Sequence, residues 1–264
     1  MVKHSTLGLL SCPHCQSFLS LRDNLDNEVV DKGNLFCAEC GRSFPIKNGI
    51  PQFINAGELE GSNLRFARQY DRLAPFYSLF VKAAFLPFGG DRKARKEILD
   101  HLDLKGGRLL EVSIGNGVNL PYLFENPNAG EVFGLDISNG QLKQCRKLIE
   151  KKGWDIDLFL GTAEKLPFQD ASFESILHIG GINFFTGRQQ AIEEVIRVAK
   201  PECKIIIADE AERLAKVIDG AADDYIPTRM VDLLPDTVED IRCDDIWMMH
   251  GKAHGYCLSF RKPK

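Results

Sequence analysis

The stretch that most constrains this chain is Arg108-Leu-Leu-Glu-Val-Ser-Ile-Gly-Asn-Gly-Val-Asn-Leu-Pro121, an apolar run that breaks into a glycine turn. Leu109, Leu110, Val112 and Ile114 leave little polar surface on either face, which predicts a buried parallel strand over 108–114. Gly115 and Gly117 let the backbone take positive φ and let a ligand lie against bare main chain. Residues 118–125 are expected to continue as a helix whose unpaired N–H groups point at that ligand.

Glu131–Ile137 reads as a second strand, ending in Gly134-Leu-Asp136-Ile-Ser138. Its carboxylate falls where doubly wound sheets hold the two hydroxyls of a ribose. The third glycine of the dinucleotide fingerprint is missing, since Leu120 and Pro121 stand there, so a nucleoside without phosphates fits better than a pyrophosphate cofactor. Further strands are expected at 156–160, 173–179 and 203–209, with helices at 139–152 and 188–199; this alternation means a parallel sheet covered on both faces. Ile241–Met249 and Tyr256–Arg261 close the chain as an antiparallel pair. Ahead of the sheet, Asn63–Leu73 and Pro75–Leu86 read as helices, and Asp91 caps a third that runs to His101. The second carries Phe76, Tyr77, Leu79, Phe80, Val81, Phe85 and Leu86, so it is expected to be buried core, the other reading being a lid over an apolar ligand.

The N-terminal segment holds Cys12-Pro-His-Cys15 and Cys37-Ala-Glu-Cys40, separated by 21 residues. Four thiolates so spaced can surround one Zn²⁺ tetrahedrally, and a closed four-ligand site is structural. The runs Phe18–Leu21, Glu28–Val30 and Asn34–Phe36 are too short for a core, so the metal would supply much of the folding energy, roughly 10–16 kcal/mol. His14 reads as an exposed turn residue. Residues 1–56 are therefore expected as a zinc ribbon, 57–66 as a linker, and 67–264 as a second domain with its own core. No stretch reads as an export signal or approaches the roughly 18 apolar residues of a membrane span, and paired C-x-x-C units point to a reducing compartment, hence the cytoplasm.

These residues resemble the class I S-adenosylmethionine-dependent methyltransferases, in the branch of the ubiquinone/menaquinone C-methyltransferases. The first motif of that family, acidic-x-Gly-x-Gly-x-Gly, is matched by Glu111, Gly115 and Gly117 and departs at Ser113. A second match is Gly161-Thr-Ala-Glu-Lys-Leu-Pro-Phe168-Gln-Asp-Ala-Ser-Phe173, with Thr162 where Asp is usual, and a third is Tyr70-Asp-Arg-Leu-Ala-Pro-Phe-Tyr77. The resemblance implies a Rossmann-like seven-stranded α/β sheet whose last strand inserts antiparallel. It implies S-adenosylmethionine held by Tyr70, Tyr77, Glu111, Gly115, Asn116, Gly117, Asp136, Ile137, Ala163 and Glu164. Phe44–Ile54 and the cysteines of the ribbon are similar to the activator subunits of tRNA and protein methyltransferases, which implies a docking module with a protein partner.

The function expected is methyl transfer to a small or medium acceptor, apolar or aromatic because of the helix 75–88 and Phe184-Phe185. His178, at the end of strand 173–179, is the candidate general base, or else a buried structural histidine; Gly180-Gly181 leave room for an acceptor. An RNA base methyltransferase of the ribosomal-RNA guanine type is the alternative, since a cysteine-knuckle domain precedes the fold there too. Net charge is −4, from 33 basic and 37 acidic residues, and residues 1–60 carry five basic and seven acidic side chains, so nucleic acid is disfavoured. A further alternative is a non-catalytic scaffold, motivated by Ser113 and Thr162.

Overall fold

The computed structural model describes residues 2–22, 29–55, 57–211 and 230–264. The N-terminal ribbon holds β1 (Val2–Lys3), the one-turn α1 (His4–Leu7), β2 (Leu19–Leu21), β3 (Val29–Val30), β4 (Gly33–Cys37), β5 (Ser43–Lys47) and β6 (Ile50–Pro51). Strands β2, β4, β5 and β6 form a four-stranded antiparallel sheet in that order. Asn48 and Gly49 join β5 to β6 with φ of 52° and 68°, the double positive φ of a tight hairpin turn. Of the expected run 28–30, Glu28 lies outside the described residues, as does Ala56, the last residue of the expected ribbon.

Three helices follow: α2 (Gly61–Leu73), α3 (Tyr77–Phe85) and α4 (Asp91–Leu99). Helix α2 begins inside the stretch expected as linker. Gly90 caps α4 with φ of 92°, and Asp91 sits one position further in, where its carboxylate accepts from Arg95 Nε (2.7 Å) and Tyr122 Oη (2.8 Å). The expectation that the aromatic helix is core is overturned. No residue of α3 is buried; Phe76, Leu79, Phe80 and Leu86 are 54–72% exposed, while the stripe Tyr77, Val81 and Phe85 faces the body.

The main sheet comprises β7 (Arg108–Val112), β8 (Glu131–Asp136), β9 (Ile156–Leu160), β10 (Phe173–Ile179), β11 (Ala199–Glu210), β12 (Glu239–Ile246) and β13 (Gly255–Arg261). With α5 (Leu120–Leu123), α6 (Asn139–Lys152) and α7 (Arg188–Val198) between strands, its order is β12-β13-β11-β10-β7-β8-β9. The five strands from β9 to β11 are parallel, and β13 inserts antiparallel beside β11, as expected. The expected helix 118–125 shrinks to one turn, with Pro121 near its start and Pro127 stopping it. The strand 108–114 stops at Val112, because Ser113 takes φ of 59°. Among the described residues no helix is long and apolar enough to cross a membrane.

The ribbon and the sheet share a core, contrary to the expectation of two. Leu10, Leu35, Phe44, Ile46 and Phe53 belong to one continuous apolar cluster with Phe133, Phe159, Phe168 and Phe173. The backbone joins as well: Gln52 bridges Leu160 in parallel, Phe53 N–H donates to Leu160 O (2.8 Å), and Leu10 bridges Phe168. Thr6 donates to the buried Asp157 on β9. The physical reason is mutual need. The ribbon is too small to bury its own apolar face, and β9, apolar but for Asp157, would otherwise be an open edge.

Leu10→Ala should therefore lower the unfolding midpoint of the whole chain, at a cost of about 2–5 kcal/mol. Both tryptophans, Trp154 and Trp247, lie in the sheet domain, so their fluorescence in urea reads the effect away from the mutated ribbon. An unchanged midpoint would restore the picture of separate cores.

Candidate active site

A cleft opens beyond the carboxyl ends of β7, β8 and β10, where ligands of parallel sheets bind. Its floor and walls are Ser113, Gly115, Asp136, Ile137, Gln141, Ile179, Gly180, Gly181, Phe184 and Phe185, and Asn63, Phe66, Tyr70 and Tyr77 from α2 and α3 cover it. Its empty space, mouth included, is about 570 Å³.

The turn after β7 is built on positive φ at Ser113 (59°), Gly115 (58°) and Gly117 (80°). Gly115 N–H donates to Asp136 Oδ2 (2.7 Å), and Ser138 N–H donates to Oδ1 (2.8 Å), which fixes the carboxylate across the ends of two adjacent strands. Burial pushes the Asp136 carboxyl up to about 6, against the pull of those two N–H groups. Gly117 does not line the cleft. A Cβ there would lie 2.8 Å from Leu120 and 2.9 Å from Cys145, so this glycine lets α6 pack closely.

Glu111 lies fully buried within β7. Its Oε1 accepts from Asn119 Nδ2 (2.5 Å), Arg95 donates to Asn119 Oδ1, and Arg95 Nε is held by Asp91. Burial raises the Glu111 carboxyl to about 7, opposed by the Asn119 hydrogen bond and the Arg95 charge. Asn116 donates to Ser78 Oγ (2.7 Å). Glu111 Oε2, Asn116 Oδ1 and both amide atoms of Gln141 are buried with no hydrogen-bond partner among the described residues. Orphaned polar atoms are costly in an interior, and this group fits a polar ligand with hydroxyl and ammonium donors.

The cover is tied down at both ends. Asp71 Oδ1 on α2 accepts from Ser138 Oγ (2.6 Å) and Gly140 N–H (2.7 Å). At the other end Asn63 Nδ2 donates to Glu164 Oε1 (2.8 Å), and Thr186 N–H donates to Asn63 Oδ1 (3.1 Å). Glu164 also takes Gly187 N–H (3.2 Å), so the carboxylate expected among the cofactor contacts serves as half of a clasp. Ala163 is buried and does not line the cleft. Phe66 packs on Phe184 with centroids 4.5 Å apart, and the Tyr70 and Tyr77 rings meet edge to face at 5.8 Å. Burial holds the Tyr77 hydroxyl up at about 12 and that of Tyr70 well above its usual value, so both stay protonated.

His178 is not at the cleft. It is 2% exposed, with Nδ1 at 3.1 Å from Val112 O and its ring against the edge of Phe185 at 5.3 Å. A carbonyl accepts, so Nδ1 carries the proton and Nε2 is left as a buried lone pair without a partner among the described residues. Burial draws its basicity down to about 4, and the ring is neutral at physiological pH. Strand alternation explains the misplacement: Ile179 faces the cleft, and its neighbour faces the other side. Sequence reasoning missed Asn63, Phe66 and Gln141. Only Gln141 left a signal, a polar residue on the inward face of the first turn after Asp136.

In the ribbon, the ligand atoms of Cys12, Cys15, Cys37 and Cys40 all lie within 4.8 Å of one another, with Sγ pairs at 3.6 Å (Cys12 and Cys40) and 3.4 Å (Cys15 and Cys37). Four sulfurs at about 2.3 Å from one ion would stand at about that separation, so the cluster could hold a metal. His14 stacks on Phe44 with centroids 6.2 Å apart.

Residues 110–207 match the family profile described as a methyltransferase domain, and residues 3–49 match that of the Trm112p-like proteins. Among curated relatives, the demethylmenaquinone methyltransferase of Paenarthrobacter aurescens is 32% identical over 159 residues, covering 59% of each chain. The phthiotriol/phenolphthiotriol dimycocerosates methyltransferase 1 of Mycobacterium ulcerans is 32% identical over 109 residues, covering 41% of this chain and 40% of that protein. These alignments span under two thirds of the relatives' lengths. Among solved structures, the [4+2]-cyclase SpnF superposes with a TM-score of 0.58 at 19% identity, covering 77% of this chain and 97% of that one. A chain from the complex between the Haloferax volcanii Trm112 methyltransferase activator and a candidate methyltransferase superposes at 0.57 and 16% identity, covering 74% and 98%. The chain thus joins a Trm112p-like domain to a methyltransferase domain of the class I fold.

Proposed function

We propose that the chain transfers a methyl group from S-adenosylmethionine to a small or medium acceptor with an apolar or aromatic body. The observation that carries this reading is the pair of buried carboxylates on adjacent strands, Glu111, whose Oε2 has no partner among the described residues, and Asp136, which lines the cleft; burial raises both. A ligand with ribose hydroxyls and a cationic amino group offers donors to both. When bound, S-adenosylmethionine supplies a methyl carbon already made electrophilic by its sulfonium. The chain's own tasks are then placement and exclusion of water. Asp136 accepts from the ribose hydroxyls, Glu111 Oε2 accepts from the amino group, and the Gln141 amide takes a further polar contact. Tyr70 and Tyr77 close the cleft. Gly180 and Gly181, with open space where a Cβ would stand on Gly180, leave room for the acceptor beside Phe184 and Phe185.

The acceptors named for the relatives, demethylmenaquinone and phthiotriol or phenolphthiotriol dimycocerosates, are of the quinone and lipid kind that such a cleft suits. We assign His178 to positioning, as a neutral support beneath Phe185. The ribbon is read as a zinc-stabilised module that does within one chain what an activator subunit does from another. Incubation with methyl-labelled S-adenosylmethionine and either a lipophilic hydroquinone or a ribosomal-RNA fragment tests the acceptor class. Labelling of the RNA alone would overturn it.

Asp136→Ala should weaken S-adenosylmethionine binding by about 10- to 100-fold in calorimetry, as a charged hydrogen bond is worth roughly 1.5–3 kcal/mol. Binding favours the ionised carboxylates, so wild-type affinity should fall as pH drops through about 7, where Glu111 takes its proton, and again through about 6, the lower step being the one that Asp136→Asn removes. The sign for the fold itself is opposite. A carboxyl raised from 3.8 holds its proton longer in the native state, so its contribution to stability falls as pH rises from about 4 to about 6. An affinity untouched by Asp136→Ala would sink the ribose assignment.

His178→Ala should keep cofactor affinity within about threefold and lower turnover by less than about tenfold, with an unchanged pH profile. A loss of about 10²–10⁴ that removes a limb of that profile would instead make it the base. Elemental analysis should find one zinc per chain, and Cys37→Ser should lower both occupancy and the unfolding midpoint of the whole protein. Full occupancy in that variant would show the ligands to be misassigned.

A further inference from the structure

Helix α3 has apolar side chains on two faces, and only one of them meets the protein. The outward stripe, Phe76, Leu79, Phe80 and Leu86, is 60%, 67%, 54% and 72% exposed, and these four are half of the eight large hydrophobic residues exposed among those described. They recur at helical spacing along one side, and Ala83, also exposed, continues the stripe. A stripe this concentrated is a binding surface or a liability. The charges around it are one-sided. From Gly61 to Gly90 the basic residues are Arg65, Arg68, Arg72 and Lys82, and the acidic residue is Asp71. The exposed Asp71 has its carboxylate engaged by Ser138 and Gly140, and four basic residues stand against this one acid on α2 and α3. This stands against the chain's net charge of −4. Leu64, Arg65, Arg68, Arg72 and Leu73 line one groove along α2, so apolar and basic groups alternate there too.

We propose that the outer face of the α2 and α3 cap docks on an anionic lipid bilayer. Phenylalanine and leucine on one face, with arginine and lysine on the same pair of helices, is the composition of an element that lies in the plane of a membrane interface. The apolar groups enter the acyl boundary and the basic ones meet the lipid phosphates. A second copy of the chain would bring its own basic residues against these, and like charges oppose that pairing. The inner faces of the same helices carry Tyr70 and Tyr77 over the cleft, so docking would place the cleft's cover against the apolar phase.

Flotation of the full chain with vesicles tests this, using phosphatidylcholine alone and phosphatidylcholine mixed with phosphatidylglycerol, at low and high salt. The chain should float with the anionic vesicles and be released by salt. Leu79→Asp with Phe80→Asp should reduce partitioning at least tenfold. Arg68→Ala with Arg72→Ala should reduce it about 25-fold, from about fivefold per arginine. None of the four residues lines the cleft, so calorimetric cofactor affinity should be unchanged in both variants. Absence of flotation, equal binding to neutral vesicles, or undiminished binding by either double variant would overturn the proposal. So would a dimer in sedimentation that Leu79→Asp dissolves. Failure of the wild type to bind cofactor would count against methyl transfer and leave the vesicle result readable.

Discussion

A single carboxylate holds the two halves of the site in register. Asp136 ends β8, and through Gly115 N–H it grips the turn that ends β7; through Ser138 N–H it sets the start of α6. Each of these groups would be an orphan without the others, since the turn has no helix of useful length behind it to order its N–H groups. The side chain of Ser138 then caps α6 through Gln141 N–H and donates to Asp71 of the cover. Strand ends, turn and cover are thereby coupled through one buried acid. Its raised proton affinity follows from that role, because a group placed to serve several neighbours in an interior is largely removed from water.

The opposite edge of the sheet follows a different logic. Strand β9 is buried at all five positions, Asp157 included, although no further strand of the main sheet lies beside it. The ribbon covers it with backbone at Gln52 and Phe53 and with side chains at Thr6 and Lys3. Behind this seam the phenylalanines 133, 159, 168 and 173 form a run of edge contacts at 4.9–5.5 Å. The cysteine cluster of the ribbon thus bears on the main sheet through the packing that the two parts share.

Local chemistry was legible in the sequence where it sets local conformation. The strands around the glycine turn, the acid of β8 and the paired cysteine knuckles follow from alternation, positive φ and ligand spacing, whereas the inserted last strand was implied by the family resemblance. What escaped depends on contacts between distant residues. Asn63 and Glu164 are 101 positions apart, and nothing local to either foretells their hydrogen bond. The composition of α3 measured how much surface seeks cover without saying whether a neighbour exists to supply it. His178 stands at a strand end as expected, and its surroundings are those of the buried structural histidine that was its other reading. Ser113 shows the reverse case: a serine at φ of 59° marks the conformation for which glycine is the usual solution.

The seam between ribbon and sheet has a bearing on what counts as a subunit. Phe53 is already bonded to β9 and α2 begins at Gly61, so a short tether keeps the ribbon at its docking face. A tether of this length amounts to an effective concentration, commonly in the millimolar range for short flexible segments, which lets a modest contact stay closed. Cut between these points, the same seam would become an intermolecular equilibrium, and its closure would depend on how much of each fragment is present. The tethered ribbon and the ribbon cut free are, in this respect, two settings of one interface.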